Sequence, residues 1–277
     1  MVLFTIVTLS ALGLIFGLGL AFASLKLKVD EDPTLKKILE MLPGLNCGAC
    51  GKAGCSSFAG ALLKHAVPVN GCLPGGEKVA KNLSRFLGME EKEIQVKKAV
   101  IHCGTTFANR TKIAEYRGVQ ACSGAILLQG AGFACPYSCL GFGDCAHACP
   151  FGAITMKEGK PFVDYFKCTG CGLCVKTCPR QIISLEILKA DRELVAVACR
   201  SLAKGPEVKK ICNVGCIACK LCEKTLPEIF KVENNLARIN YEKADSATGW
   251  NAAIKVCPQK TIVQLLSKEE VSKIVAK

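Results

Sequence analysis

"CTGCGLCVKTCP", residues 168–179, sets Cys168, Cys171, Cys174 and Cys178 in the spacing C-x2-C-x2-C-x3-C-P. Three thiolates at x2 steps can take three corners of one cubane iron–sulfur cluster, while the x3 step and Pro179 direct the fourth thiolate towards a neighbouring cube. A neighbour is therefore required. Just upstream, "ACPYSCLGFGDCAHACP", residues 134–150, supplies a loosened run with Cys135, Cys139, Cys145 and Cys149 spaced C-x3-C-x5-C-x3-C-P. Exchange of ligands between the two runs assigns Cys135, Cys139, Cys145 and Cys178 to one cluster and Cys149, Cys168, Cys171 and Cys174 to the other. Structural zinc prefers two separated cysteine pairs, and three thiols at x2 steps crowd a tetrahedral ion.

Working outward, "CIACKLCEKTLPEIF" and a distant "KVCP" give Cys216, Cys219 and Cys222 with Cys257. This resembles single-cluster ferredoxins, in which the chain makes a long excursion before a Cys-Pro returns to close the same cube. Towards the N-terminus, "LPGLNCGACGKAGC" and "NGCLPGG" place Cys47, Cys50, Cys55 and Cys72 as C-x2-C-x4-C-x16-C. Glycines at 48, 51 and 54 let backbone N–H groups face the sulfurs, which raises a cluster's potential. Four of the 20 cysteines remain, Cys103, Cys122, Cys199 and Cys212. They are either a fifth 4Fe-4S site or incidental thiols, because free cysteine packs as a small hydrophobe. The histidines His65, His102 and His147 have no metal-like spacing, and packing or hydrogen bonding is expected of them. Zinc remains a rival reading for the two outer sets.

The first 25 residues carry no charged side chain and are long enough, as a helix, to cross a bilayer core of about 30 Å. Lys26 and Lys28 follow at once, so the positive-inside rule puts the rest of the chain in the cytoplasm, where disulfides are rare. A cleaved signal peptide, with "AFAS" as its processing site, and a buried core helix are the competing readings. Gly13 and Gly17 form a Gly-x-x-x-Gly pair suited to close helix approach. The formal charge of +13 invites a nucleic-acid partner, but the lysines are spread rather than striped. Five oxidised clusters at about −2 each would reduce that charge to about +3, so the basic balance mostly offsets cofactors. No dinucleotide fingerprint stands in a strand-to-helix context, which argues against flavin or nicotinamide chemistry on this chain.

Helices are expected from Asp32-Pro33 to Pro43-Gly44 and from about Gly76 to Leu87, and "VKKAVIHC" reads as a strand. Cys-Pro recurs at 149, 178 and 257, each time followed by residues suited to a strand. Two strands are expected about a Glu158-Gly159 turn, and Ser267 to Glu270 is a capping box before a terminal helix. The fold class is α+β. A transmembrane helix occupies 1–25, a small helical 4Fe-4S domain 26–98, a linker strand and two-cluster ferredoxin-like domain 99–190, and a C-terminal ferredoxin-like domain with a closing helix 191–277.

In this order the anchor, "LPGLNCGACGKAGC", "GTTFANRTKIAEYRGVQAC" and "GFGDCAHACPFGAI" joined to "CTGCGLCVKTCP" resemble the B subunit of the Rnf ion-translocating electron-transport complex. The resemblance covers nearly the whole chain. It implies a membrane-anchored protein that takes electrons from reduced soluble ferredoxin and passes them through the complex, by way of its membrane and flavin subunits, to NAD. The segment from about Cys199 onwards is not carried by every member of that family. Acidic ferredoxins suggest a steering role for Lys209, Lys210, Lys220 and Lys224. A second reading, an iron–sulfur activator of a corrinoid or other membrane redox enzyme, rests on the glycine-rich four-cysteine motif alone. A zinc-dependent scaffold is the third.

Overall fold

A largely apolar run with no charge and no proline before Lys26 becomes the first element, α1 (Val2–Lys26). The computed structural model describes residues 2–26, 32–90, 95–245 and 248–275, so Lys28 lies outside the described residues. The span Leu3–Ser24 is 22 residues with a mean hydropathy of 2.2, and none of its apolar window is buried in the protein. At 1.5 Å per residue it reaches about 33 Å, enough for a bilayer core. Zero burial removes the core-helix reading.

The next unit is a three-helix cluster of α2 (Pro33–Met41), α3 (Cys55–Leu63) and α4 (Gly76–Leu87). Asp32 caps α2 by accepting the Thr34 N–H at 2.8 Å, and Pro33 fills the first turn, where no N–H is needed. Asn46 reaches across to accept the Cys55 N–H at 2.8 Å and so caps α3. Gly54 is required beside it, because a Cβ there would stand 2.8 Å from the Asn46 Oδ1. Ile38, Phe58, Leu62 and Leu83 are wholly buried between the three helices.

Two modules of ferredoxin-like build follow. The first contains β1 (Lys97–Ile101), α5 (Cys122–Ala125), α6 (Asp144–His147), β2 (Ile154–Lys157), β3 (Lys160–Val163), α7 (Leu173–Thr177) and β4 (Ile183–Ile187). β1 pairs antiparallel with β4, Lys97 opposite Ile187, and β2 pairs with β3 about the expected Glu158-Gly159 turn. The second contains β5 (Leu194–Val197), α8 (Gly205–Ile211), α9 (Leu221–Thr225), β6 (Phe230–Glu233), β7 (Leu236–Ile239), α10 (Trp250–Val256), β8 (Ile262–Leu266) and α11 (Lys268–Val275). β5 pairs with β8, and β6 with β7 through a two-residue turn at Asn234 and Asn235, both with positive φ (51° and 61°) as a type I′ turn demands. Each Cys-Pro at 149, 178 and 257 does lead into a strand, namely β2, β4 and β8. The capping box also forms: the Ser267 N–H donates to Glu270 at 2.9 Å and the Glu270 N–H returns to Ser267 at 3.3 Å.

The two modules share an apolar core. Val100 of β1, Leu194 and Ala196 of β5, Leu266 of β8, and Val271 and Ile274 of α11 form one buried cluster. Arg192 ties the same junction by donating to the carbonyls of Tyr241 and Ala244, and the Tyr241 hydroxyl donates to the Val195 carbonyl at 2.7 Å. Inside the second module Phe230 is wholly buried and meets Trp250 edge to face at 6.1 Å. Truncating such a ring costs about 3–5 kcal/mol.

Candidate metal centres

Three turns of one design hold the central cysteines. In 168–174 the chain passes Gly170 (φ +71°) and Gly172 (φ +78°) before entering α7, whose second residue is Cys174. In 139–145 the same places fall to Gly141 (φ +85°) and Gly143 (φ +87°) before α6 and Cys145. In 216–222 they fall to Ala218 (φ +54°) and Lys220 (φ +61°) before α9 and Cys222. The alternation of left-handed residues folds the turn so that its cysteines converge on one side. Gly170 is the tightest point, since a Cβ would lie 2.3 Å from the Lys97 carbonyl oxygen.

Registering the turns on these residues aligns Cys139 with Cys168 and Cys216, and Cys145 with Cys174 and Cys222. The middle position is Cys171 in one turn and Cys219 in another, but Phe142 in the first. The first turn therefore lacks a thiol, and the structure brings Cys122 to fill the gap. Cys122, Cys139, Cys145 and Cys178 line one cavity of about 370 Å³. The backbone N–H groups of Asp144, Phe142 and Gly143 face the Cys122 sulfur. The Asp144 carboxylate fixes the start of α5 by accepting the N–H of Cys122 at 2.8 Å and of Ser123 at 3.0 Å.

The cavities group these cysteines differently from the exchange expected from spacing. Cys122, and not Cys135, lines the cavity of Cys139, Cys145 and Cys178. Cys135 lines a separate cavity with Cys103, Cys199 and Cys212. The exchange is readable in principle, because "CLGFGDC" laid over "CTGCGLC" shows Phe142 where a cysteine belongs.

Two further sets expected from spacing each line a cavity together. Cys149, Cys168, Cys171 and Cys174 line a cavity of about 320 Å³, and Cys216, Cys219, Cys222 and Cys257 line one of about 370 Å³. Cys47, Cys50 and Cys55 stand within electrostatic reach of Cys72. Burial first, then Cys122 and Cys178, pushes the Cys145 thiol up to about 12, and burial first, then Cys168 and Cys171, does the same to Cys174. Such thiols are protonated in the metal-free chain, so loading them releases protons.

Four thiols line each of these three gaps, a donor set that a 4Fe-4S cluster takes. Cations sit beside the cysteines. Buried Lys98 donates to the Cys168 carbonyl, and Arg180 is within electrostatic reach of Cys135 and Cys178. Neither stands out in the sequence. His102 holds strands together, one ring nitrogen 2.9 Å from the Val197 carbonyl and the other 2.8 Å from the Ser184 hydroxyl, while His65 and His147 are exposed.

Three family models match the chain, and the one for the dicluster domain begins at Cys135 and leaves Cys122 outside its range. A family model described as "Putative Fe-S cluster" matches residues 42–74, a "4Fe-4S dicluster domain" matches 135–183, and a "4Fe-4S single cluster domain of Ferredoxin I" matches 213–264. The chain is 39% identical over 260 residues to the B subunit of the ion-translocating oxidoreductase complex of Methanosarcina acetivorans, covering 93% of this chain and 96% of that one. It is 38% identical over 269 residues to the B subunit of the proton-translocating ferredoxin:NAD(+) oxidoreductase complex of Clostridium ljungdahlii, covering 96% and 93%. It is also 38% identical over 237 residues to the B subunit of the Na(+)-translocating ferredoxin:NAD(+) oxidoreductase complex of Acetobacterium woodii, covering 85% and 70%.

Proposed function

Because the chain belongs to the family of B subunits of ion-translocating oxidoreductase complexes, we propose that it is the electron-accepting arm of such a complex. In this reading α1 anchors it in the membrane, Lys26 keeps the remainder on the cytoplasmic side, and reduced soluble ferredoxin is the donor. Electrons leave towards the membrane and flavin subunits, where NAD is reduced. A bound 4Fe-4S cluster supplies one-electron chemistry, taking up and passing on a single electron without bond rearrangement.

The observation that carries the reading is the serial adjacency of the thiol sets. Cys47 of the anchored helical unit is within reach of Cys171, and the Lys176 ammonium bridges the same two units to the Gly48 carbonyl at 3.5 Å. Cys174 is in turn within reach of Cys145. At the far end Cys219 is exposed. Exposed Lys220 and Lys224 flank it in sequence, and exposed Lys209 and Lys210 end α8. An acidic donor would be drawn to such a surface, and its electron would start at a ligand open to solvent.

Stopped-flow mixing of the full chain in detergent with reduced ferredoxin tests this, reading the bleaching near 400 nm. Charge reversal at Lys220 and Lys224 together is expected to slow bleaching about tenfold at low salt and much less at high salt. A chain that reduced ferredoxin leaves unbleached would overturn the proposal. A rate unchanged at low salt would overturn the docking end.

A further inference from the structure

We infer that Cys103, Cys135, Cys199 and Cys212 hold a further 4Fe-4S cluster that joins the two ferredoxin-like modules, with Arg110 as its buried counter-cation. The inference rests on the electron-transfer reading and adds to it the missing link in the relay.

The four thiols come from four separate segments tied together round one cavity. Cys103 follows β1, and Cys199 follows β5. The Gly104 N–H donates to the Ala198 carbonyl at 2.9 Å, closing those two strand ends on each other. Cys212 ends α8. It forms an antiparallel bridge with Arg110, and the Thr111 hydroxyl donates to the Ile211 carbonyl at 3.1 Å. Cys135 is brought in by the Ala134 N–H, which donates to the Thr111 carbonyl at 2.8 Å. The four cysteines line one cavity together, as the spaced motifs do.

Backbone donors face these sulfurs as they would in a cluster site. The Cys139 N–H points to the Cys103 sulfur and the Ser201 N–H to the Cys199 sulfur, both at 3.4 Å. The N–H groups of Val214 and Gly215 face Cys212, and that of Tyr137 faces Cys135.

Arg110 is the independent observation. It lines the same cavity, is 7% exposed, and lies against the stacked rings of Phe107 and Phe133, whose centroids are 4.9 and 5.2 Å away. One terminal nitrogen is used, donating to the Thr105 carbonyl at 3.2 Å and the Gly159 carbonyl at 2.8 Å. Its Nε and Nη1 are buried without a hydrogen-bond partner. A guanidinium taken out of water and left half-satisfied calls for an anion. Its reach extends to Cys212 and to Cys139. A cluster of net charge about −2 on the four thiolates supplies that anion.

The position defines the role. Cys139, which gives its N–H to Cys103, belongs to the set with Cys122, Cys145 and Cys178. The Cys216 N–H also faces the Cys199 sulfur, and Cys216 belongs to the C-terminal set. The order of sites becomes Cys216 set, Cys103 set, Cys139 set, Cys168 set and Cys47 set. One electron moves from each reduced site to the next oxidised one.

The test is iron and acid-labile sulfide per full-length chain, purified in detergent without oxygen, with low-temperature EPR of the reduced protein. The wild type is expected to hold about 20 iron atoms, and Cys135→Ala or Cys212→Ala each to lose about 4 with the same EPR component. The double change Cys135→Ala/Cys212→Ala should lose no more than either alone, whereas Cys122→Ala/Cys212→Ala should lose about 8. Variants that keep about 16 iron atoms report an intact fold. As a measurement that leaves all ligands in place, Arg110→Met should lower the potential of that one EPR component. A wild type with about 16 iron atoms that ferredoxin still bleaches would overturn this site alone. A loss of about 8 from Cys135→Ala/Cys212→Ala would overturn the grouping. A chain without iron would overturn the electron-transfer reading as well.

Discussion

The Cys168 site and the Cys103 site are built in opposite ways. Three of four thiols in the first come from one seven-residue turn, whose left-handed glycines aim them before any tertiary contact forms. In the second, no two thiols share a segment, and the gap exists only when β1, β5, α8 and the 133–138 loop have met. A local site is written in spacing. A junction site is written in packing, here the shared core of Val100, Leu194, Ala196 and Ile274, together with a buried cation awaiting its partner.

The largest effect that separates the two is functional. With Cys212→Ala the four remaining sets keep their cavities, yet the link between Cys216 and Cys139 is gone. In the assembled complex, ferredoxin-driven NAD reduction should fall to background while the C-terminal cluster is still reduced at the wild-type rate. Rapid-freeze EPR after mixing with reduced ferredoxin checks both. NAD reduction at more than about a tenth of the wild-type rate would mean that electrons bypass the junction.

A smaller effect concerns the local turns. Gly170→Ala places a Cβ 2.3 Å from a backbone oxygen at φ +71°, and should cost at least about 2 kcal/mol, with iron lost from the Cys168 site and not from the Cys216 site. The reverse change is available at the matching place in the C-terminal turn, where Ala218 sits at φ +54°. Ala218→Gly should relieve about 1 kcal/mol of left-handed strain and raise the temperature at which that cluster bleaches. Equal responses of both clusters to either change would break the claim that each turn acts by itself.

What local geometry encodes is legible in the sequence. The x2 steps of 168–174 and 216–222, the Cys-Pro starts of β2, β4 and β8, and the caps of α2 and α11 can each be read from a few adjacent residues. The long apolar helix α1 can be read from composition. The exchange of Cys122 for Cys135 is harder to see, because Phe142 occupies the thiol position and Cys135 happens to continue the count of cysteines in its own run. Arg110 is inconspicuous within "GTTFANRTKIAEYRGVQA" for a related reason. Nothing near it in sequence reveals that Phe107, Phe133 and two carbonyls will bury it beside thiols more than 80 residues onward.

The Cys122 site lies between the two extremes, since its turn is local but one ligand is imported, and Asp144 is the tie that delivers it. Burial by itself would raise the Asp144 carboxyl, but the N–H groups of Cys122 and Ser123 outweigh that and hold it below the ordinary carboxylate range. A carboxylate with a depressed folded value contributes above its unfolded value of about 3.9 and loses that contribution as pH falls through the folded value. At neutral pH the tie is therefore complete. Asp144→Asn keeps one acceptor oxygen and turns an NH2 group towards the other donor, a loss of about 1 kcal/mol. The bleaching of one cluster by an iron chelator should become a few-fold faster, while the Cys168 cluster is unaffected. That difference should be constant from pH 6 to 8, because the wild-type carboxylate is ionised throughout. A difference that grew across this window would assign the tie to another titrating group and leave Cys122 held by α5 alone.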